Sequence, residues 1–156
     1  MKVIGEENLS THEFMTSYLD HLGQAGDPIT KKASLAMFKS ILERFNIECR
    51  QLILKRLICE YPHDRAGGML IDIYAGEMRK KIEGSIFNEL KNLREILSTV
   101  FKMDTLFVRI DSIHAMLNLL NFSVRCKLIP WTAPQLEGIQ NDYLKMIAKQ
   151  FDIYRS

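Results

Sequence analysis

Proline is scarce in this sequence and falls at only a few places. The 156 residues include 4 prolines, at positions 28, 62, 130 and 134, so that residues 63–129 contain none. Glycine is also infrequent, with 8 residues, and 47% of the chain is apolar. These values exclude a collagen-like fibre and a disordered tail. Because a proline in a helix interior breaks the helix, the four prolines are expected to separate helices.

Cysteine is too rare to cross-link the chain. The three cysteines are Cys49, Cys59 and Cys126, an odd number with no repeating spacing. This pattern is typical of a reducing compartment and excludes a secreted disulfide framework. We therefore expect a cytoplasmic protein.

Long apolar runs are missing as well. The longest uncharged, apolar-rich run covers residues 112–124 and is shorter than the roughly 20 residues that span a bilayer. The first ten residues lack the apolar centre of a secretory signal. We expect no membrane partner.

The residues that are abundant favour helices. Leucine and methionine together account for 27 positions, whereas valine and threonine account for 10. The first pair are good helix formers and the second pair favour strands, so the composition indicates an all-α fold.

Start and stop signals divide the chain into six or seven helices. The expected N-terminal signals are Ser10 with Glu13, Asp27 with Pro28, Asp64, Asp104, and Thr132 with Gln135. A third helix is predicted over 47–61, where Pro62 ends it. Gly84 and Ser85 either separate a fourth helix from a fifth or lie in one bent helix.

Short connections predict that successive helices run antiparallel. We expect a single helical-repeat domain over 1–156, with a flexible N-terminus at 1–9. The expected architecture is a HEAT/armadillo-like α-α superhelix of six or seven antiparallel helices, and an irregular helical bundle is the alternative.

No catalytic constellation is apparent, and we expect neither an enzyme nor a cofactor, metal or small-molecule substrate. Phosphate-loop, zinc-protease and serine-hydrolase motifs are absent. Cys59 and His63 have the spacing of two ligands on one helical face, but Pro62 interrupts that helix. Asp111 and His114 share a face at i, i+3, where a packed histidine is the commoner outcome.

Positive charge is concentrated in the middle of the chain. Residues 1–30 carry a net charge of −4, residues 31–102 carry +5, and residues 103–156 carry +1. Arg79, Lys80 and Lys81 form a basic triple at the end of the fourth helix, where cations also complement the helix dipole. Nucleic acid is a weaker candidate partner than protein, because the pI of about 8.4 is below 9 and no aromatic residues interleave with the basic ones.

Three segments resemble the C-terminal HEAT-like helical domain of the glomulin family. They occur in the same order and with similar spacing, and the likeness covers roughly residues 27–154. The segments are KKASLAM at 31–37, DSIHAMLNLL at 111–120, and WT at 131–132 followed by YLK at 143–145.

The resemblance implies a non-catalytic module that binds the RING-box subunit of cullin–RING ubiquitin ligases and blocks access of the E2. The family's partner-facing lysine falls at or beside Arg79, with Lys80 adjacent, and a register shift of one residue would select Met78 instead. The alternative is a general helical scaffold that binds another protein or a peptide without a link to ubiquitin. A nucleic-acid-binding role for the basic middle is a third, weaker reading.

Overall fold

The computed structural model describes residues 3–155, with side chains at 10–102, 104–153 and 155, and every element in that range is helical. Two 3-10 segments (Ile86–Asn88 and Met103–Val108) and one π-helical segment (Gln140–Leu144) join the α-helices. The α-helices are α1 (Val3–Gln24), α2 (Pro28–Leu42), α3 (Ile47–Glu60), α4 (Asp64–Arg79), α5 (Leu90–Val100), α6 (Ile110–Arg125), α7 (Ala133–Ile139) and α8 (Lys145–Arg155). The π-helical segment makes α7 and α8 one continuous run, and the prediction of an all-α fold is confirmed.

Several predicted helix boundaries are confirmed. The Asp27 carboxylate accepts a hydrogen bond of 2.8 Å from the backbone N–H of Thr30 and so caps α2. Its hydrogen bonds with Thr30 hold the pKa of Asp27 below its usual value. Thr132 and Gln135 form a reciprocal capping box at the start of α7, and α3 ends before Pro62. Short-range patterns were reliable here because a cap involves only neighbours along the chain.

The fourth and fifth predicted helices are separate. Helix α4 ends at Arg79, and the chain then turns through Gly84, which has a φ of 69°. The Ser85 hydroxyl accepts a hydrogen bond of 3.3 Å from the N–H of Phe87 and starts the first 3-10 segment. Glycine suits this turn because it lacks the Cβ that disfavours the left-handed region.

Three predicted N-caps are wrong. Helix α1 begins at Val3, so Ser10 lies inside it. A serine in a helix interior costs less than about 1 kcal/mol, and a capping pattern therefore does not force a helix to begin. Asp104 lies in the second 3-10 segment, ahead of α6. Asp64 is the first residue of α4 and not its cap.

The N-terminal nine residues were expected to be flexible. Met1 and Lys2 lie outside the described residues, and the backbone of residues 3–9 belongs to α1. The expected flexibility stays a prediction.

The Asp64 carboxylate caps a different helix. It accepts hydrogen bonds from the backbone N–H groups of Asp111 at 2.6 Å and Ser112 at 3.0 Å, in the first turn of α6. The Ser112 hydroxyl in turn donates to the backbone carbonyl of Asp64 at 3.4 Å. A carboxylate at this position satisfies free N–H groups and complements the positive end of the helix dipole.

Two adjacent glycines let α4 approach α6 closely. Gly67 and Gly68 are buried, and a Cβ on Gly67 would collide with the hydroxyl of Ser112. A Cβ on Gly68 would lie 3.1 Å from the carbonyl oxygen of Asp111, which is backbone and has little freedom to move. Two glycines in a helix interior lower its intrinsic stability, so α4 needs support from packing. Contact with α6 supplies that support.

Helices α4 and α6 run parallel. Asp64 at the start of α4 touches the start of α6, and Arg79 at the end of α4 lies over the ring of Phe122 near the end of α6. Both helices therefore end at the same edge of the molecule. One hydrophobic cluster includes residues from α1 to α8, among them Met15, Phe38 and Ile147.

We expect Gly68→Val to lower the free energy of unfolding by about 2 kcal/mol, because the added atoms push against the backbone of α6. Gly76→Ala is the control on the same helix, since its Cβ would meet nothing within 4 Å. It should raise stability by up to about 1 kcal/mol through helix propensity alone. Urea unfolding measures both, and equal effects of the two changes would contradict the close approach.

Asp64→Ala should lower the free energy of unfolding by about 1–2 kcal/mol, as the loss of an N-cap does. The helix that loses its cap is α6, whereas Asp64 itself belongs to α4. Asp64→Asn should recover most of that loss, because an amide oxygen also accepts from backbone N–H groups. The exposed Asp72 on the same helix provides the control, and Asp72→Ala should change stability by less than about 0.5 kcal/mol. Thermal unfolding that ranks the Asp64 and Asp72 variants equally would refute the cross-helix cap.

Candidate functional site

The three residues singled out by the resemblance lie at the end of α4 but differ in exposure. Arg79 and Lys80 are exposed, whereas Met78 is 0% exposed and belongs to the core. A fully buried side chain offers no surface to a partner. We therefore correct the candidate set and keep Arg79 and Lys80.

Arg79 is held by an aromatic ring. Its guanidinium carbon lies 4.3 Å from the centre of the Phe122 ring. Such a cation–π contact contributes about 0.5–1 kcal/mol at an exposed site. It orients the charge without neutralising it, so the guanidinium still has hydrogen-bond donors for a ligand.

Lys80 is held by a nearly buried glutamate. Its ammonium lies 2.8 Å from Oε1 of Glu77, whose side chain is 9% exposed. The other oxygen of Glu77 lies 3.4 Å from the Arg50 guanidinium, which also donates to the carbonyl of Phe45 at 3.0 Å. Glu77 therefore links α3 to the end of α4 and limits the range of positions that Lys80 can reach.

The turns after α4 and α6 are tied together by one amide. The Asn88 side-chain N–H₂ donates to the carbonyl of Met78 at 3.3 Å and to the carbonyl of Leu128 at 2.8 Å. Because both carbonyls lie within hydrogen-bonding distance of one nitrogen, the two turns are adjacent. The basic residues of the two turns belong to one surface.

We call this surface the basic edge. Its five members are exposed cations at or just beyond the last turns of α4 and α6: Arg79, Lys80, Lys81, Arg125 and Lys127. Sequence reasoning missed Arg125 and Lys127, since neither lies in a run of like charges. A predicted contact between α4 and α6 would have revealed them, but the expected antiparallel order of successive helices did not say which helices touch.

A second surface feature lies between α3 and α5. It is an open groove of about 480 Å³, lined by Leu52, Lys55, Arg56, Cys59, Glu60, Glu95, Ser98 and Thr99. The Lys55 ammonium lies 2.6 Å from Glu95, and this hydrogen bond lowers the pKa of that carboxyl. The groove combines both signs of charge with the half-exposed Leu52, whose exposed fraction is 46%.

None of the residues in the two pairs considered for chemistry is buried. Helix α3 ends at Glu60, and His63 lies outside both flanking helices, so Cys59 and His63 do not share a helical face. Asp111 and His114 are both exposed on α6, so the expectation of a packed histidine is wrong for His114. Across the described part of the chain, no group of three or more potential ligands is arranged to hold a metal ion. Nor does any helix within 3–155 combine the length and hydrophobicity needed to cross a membrane.

The chain was compared with family models, curated proteins and solved structures, and none of them matches it.

Glu77→Gln should lower the free energy of unfolding by about 1–3 kcal/mol, because it leaves the Arg50 guanidinium, 14% exposed, without its counter-charge. The exposed Glu83 in the following turn is the control, and Glu83→Gln should have little effect. Chemical unfolding that shows equal stability for the two variants would contradict the structural role of Glu77.

Proposed function

We propose that this chain is a non-catalytic protein-binding module that docks on the RING-box subunit of cullin–RING ubiquitin ligases and limits access of the E2. The resemblance to the glomulin family suggests this partner. The observation that carries the proposal is the basic edge, where Arg79 and Lys80 are exposed and held in place by Phe122 and Glu77.

The proposed architecture is a HEAT/armadillo-like superhelix. In such a stack, equivalent helices of successive pairs run parallel, and the parallel α4 and α6 fit that description. Lys55 and Glu95 join α3 to α5, as expected for the second layer. An irregular bundle is the alternative, and the parallel contact between α4 and α6 favours the stack.

The proposed mechanism is steric competition. A rigid helical edge can cover part of a small domain, and a few central contacts then carry most of the affinity. Cations at such an edge speed association with an acidic surface and fix orientation. No bond is made or broken, and inhibition follows from occupancy alone.

The test is a purified mixture of this chain with the RING-box subunit. We expect a complex at micromolar concentrations and slower discharge of ubiquitin from the E2. The double change Arg79→Glu and Lys80→Glu should weaken that complex about tenfold or more, because two attractive contacts become repulsive. Circular dichroism should show unchanged helix content.

A matched control is available on α2. Lys31 and Lys32 are adjacent and exposed, so Lys31→Glu with Lys32→Glu makes the same change in net charge away from the edge. This variant should bind almost as well as the unmodified chain. Absence of a complex at tens of micromolar would refute the proposed partner, and equal weakening by both variants would refute the site.

A second candidate is a general helical scaffold that binds a peptide, and the groove between α3 and α5 favours it. Leu52→Asp separates the two functions, because it places a charge in the groove and leaves the basic edge intact. A loss of partner binding in this variant, with no loss in the Arg79 and Lys80 variant, would favour the scaffold.

A further inference from the structure

Two residues after the last residue of α4, and again after that of α6, the chain has a lysine with left-handed backbone geometry. Lys81 has a φ of 49° and Lys127 a φ of 51°, and among the described residues these are the only positive φ values outside glycine. A left-handed residue just after a helix end is usually glycine, because a Cβ is disfavoured in that conformation. The same exception at two adjacent turns needs an explanation.

Backbone hydrogen bonding does not supply one. The N–H of Lys127 donates to the carbonyl of Val124 at 3.3 Å, and the next N–H, of Leu128, donates to Ser123 at 3.0 Å. The N–H of Lys81 donates to Met78 at 3.2 Å. Glycine would form all of these bonds, so the helix ends do not require the lysine side chains.

Both side chains are exposed, and the two turns adjoin. Asn88 bridges the turns, and the contact of Arg79 with Phe122 fixes the ends of the two helices against each other. A ligand lying across the edge would therefore meet Lys81 and Lys127 together with the other three cations. In and beside the turn after α4, the carboxylates nearest in sequence to Lys81 are Glu77, which already binds Lys80, and the exposed Glu83.

We propose that Lys81 and Lys127 complete a binding site for an acidic segment of a protein partner, in which carboxylates cross both turns. The inference rests on the proposed function, because both use the basic edge. It adds the chemistry of the partner segment and two contact residues, Lys81 and Lys127. A protein segment is favoured over nucleic acid because the ring at this edge, Phe122, lies under Arg79 and is not open for base stacking.

The test uses the full chain and a labelled glutamate-rich peptide, with its glutamine counterpart, at low ionic strength. The double variant Lys81→Gly with Lys127→Gly should keep its helix content and unfold at the same or a higher temperature. It should bind the glutamate peptide at least about fivefold more weakly, because each lysine–carboxylate pair accounts for a factor of a few. The unmodified chain should prefer the glutamate peptide to the glutamine one.

Two controls separate charge from backbone geometry. Lys81→Arg with Lys127→Arg keeps both charges and should bind like the unmodified chain. Lys31→Gln with Lys32→Gln removes two charges from α2 and should also bind normally. Full binding by the glycine variant, equal affinity for both peptides, or tighter binding of a single-stranded oligonucleotide would each overturn the inference.

Failure of the acidic site and failure of the proposed RING-box function give different results. If the chain binds the glutamate peptide through both lysines but does not bind the RING-box subunit, the acidic site is supported and the proposed partner is refuted. A RING-box complex that is unaffected by the glycine changes would support the proposed function and overturn the role of the two lysines.

Discussion

The close parallel contact between α4 and α6 is the constraint on which the rest of this structure depends. Gly67 and Gly68 have no side chains that would hold the two helices apart. The Asp64 carboxylate accepts hydrogen bonds from the free N–H groups at the start of α6. The residues that make α4 a poor isolated helix are thus the ones that let it pack. Intrinsic propensity is lost locally, and tertiary packing offsets the loss.

That contact also decides where charge accumulates. Parallel helices bring their C-terminal ends together, and these are the ends where cations are favoured by the helix dipole. The basic edge follows from this arrangement, with Phe122 and Glu77 orienting its first two cations. Local stabilisation is compatible with the binding role proposed for this edge, because cations that complement a helix dipole remain exposed to solvent.

Part of the fold and part of the site were predictable. Asp27 and Thr132 act on N–H groups three residues away, so their caps are visible in the sequence. The basic triple at 79–81 was visible because its three residues are consecutive. Met78 became a candidate through a register shift of one residue in the resemblance, and the packing of α4 places its side chain in the core.

The sequence by itself determined the helical class, several helix ends and the position of one charged run, since each depends on residues within about one turn of helix. Only the tertiary structure decided that Asp64 caps a helix 47 residues further along the chain and that Lys127 shares an edge with Lys81. Those relations arise from the packing of α6 against α4, and helical periodicity does not determine which helices of a chain are in contact.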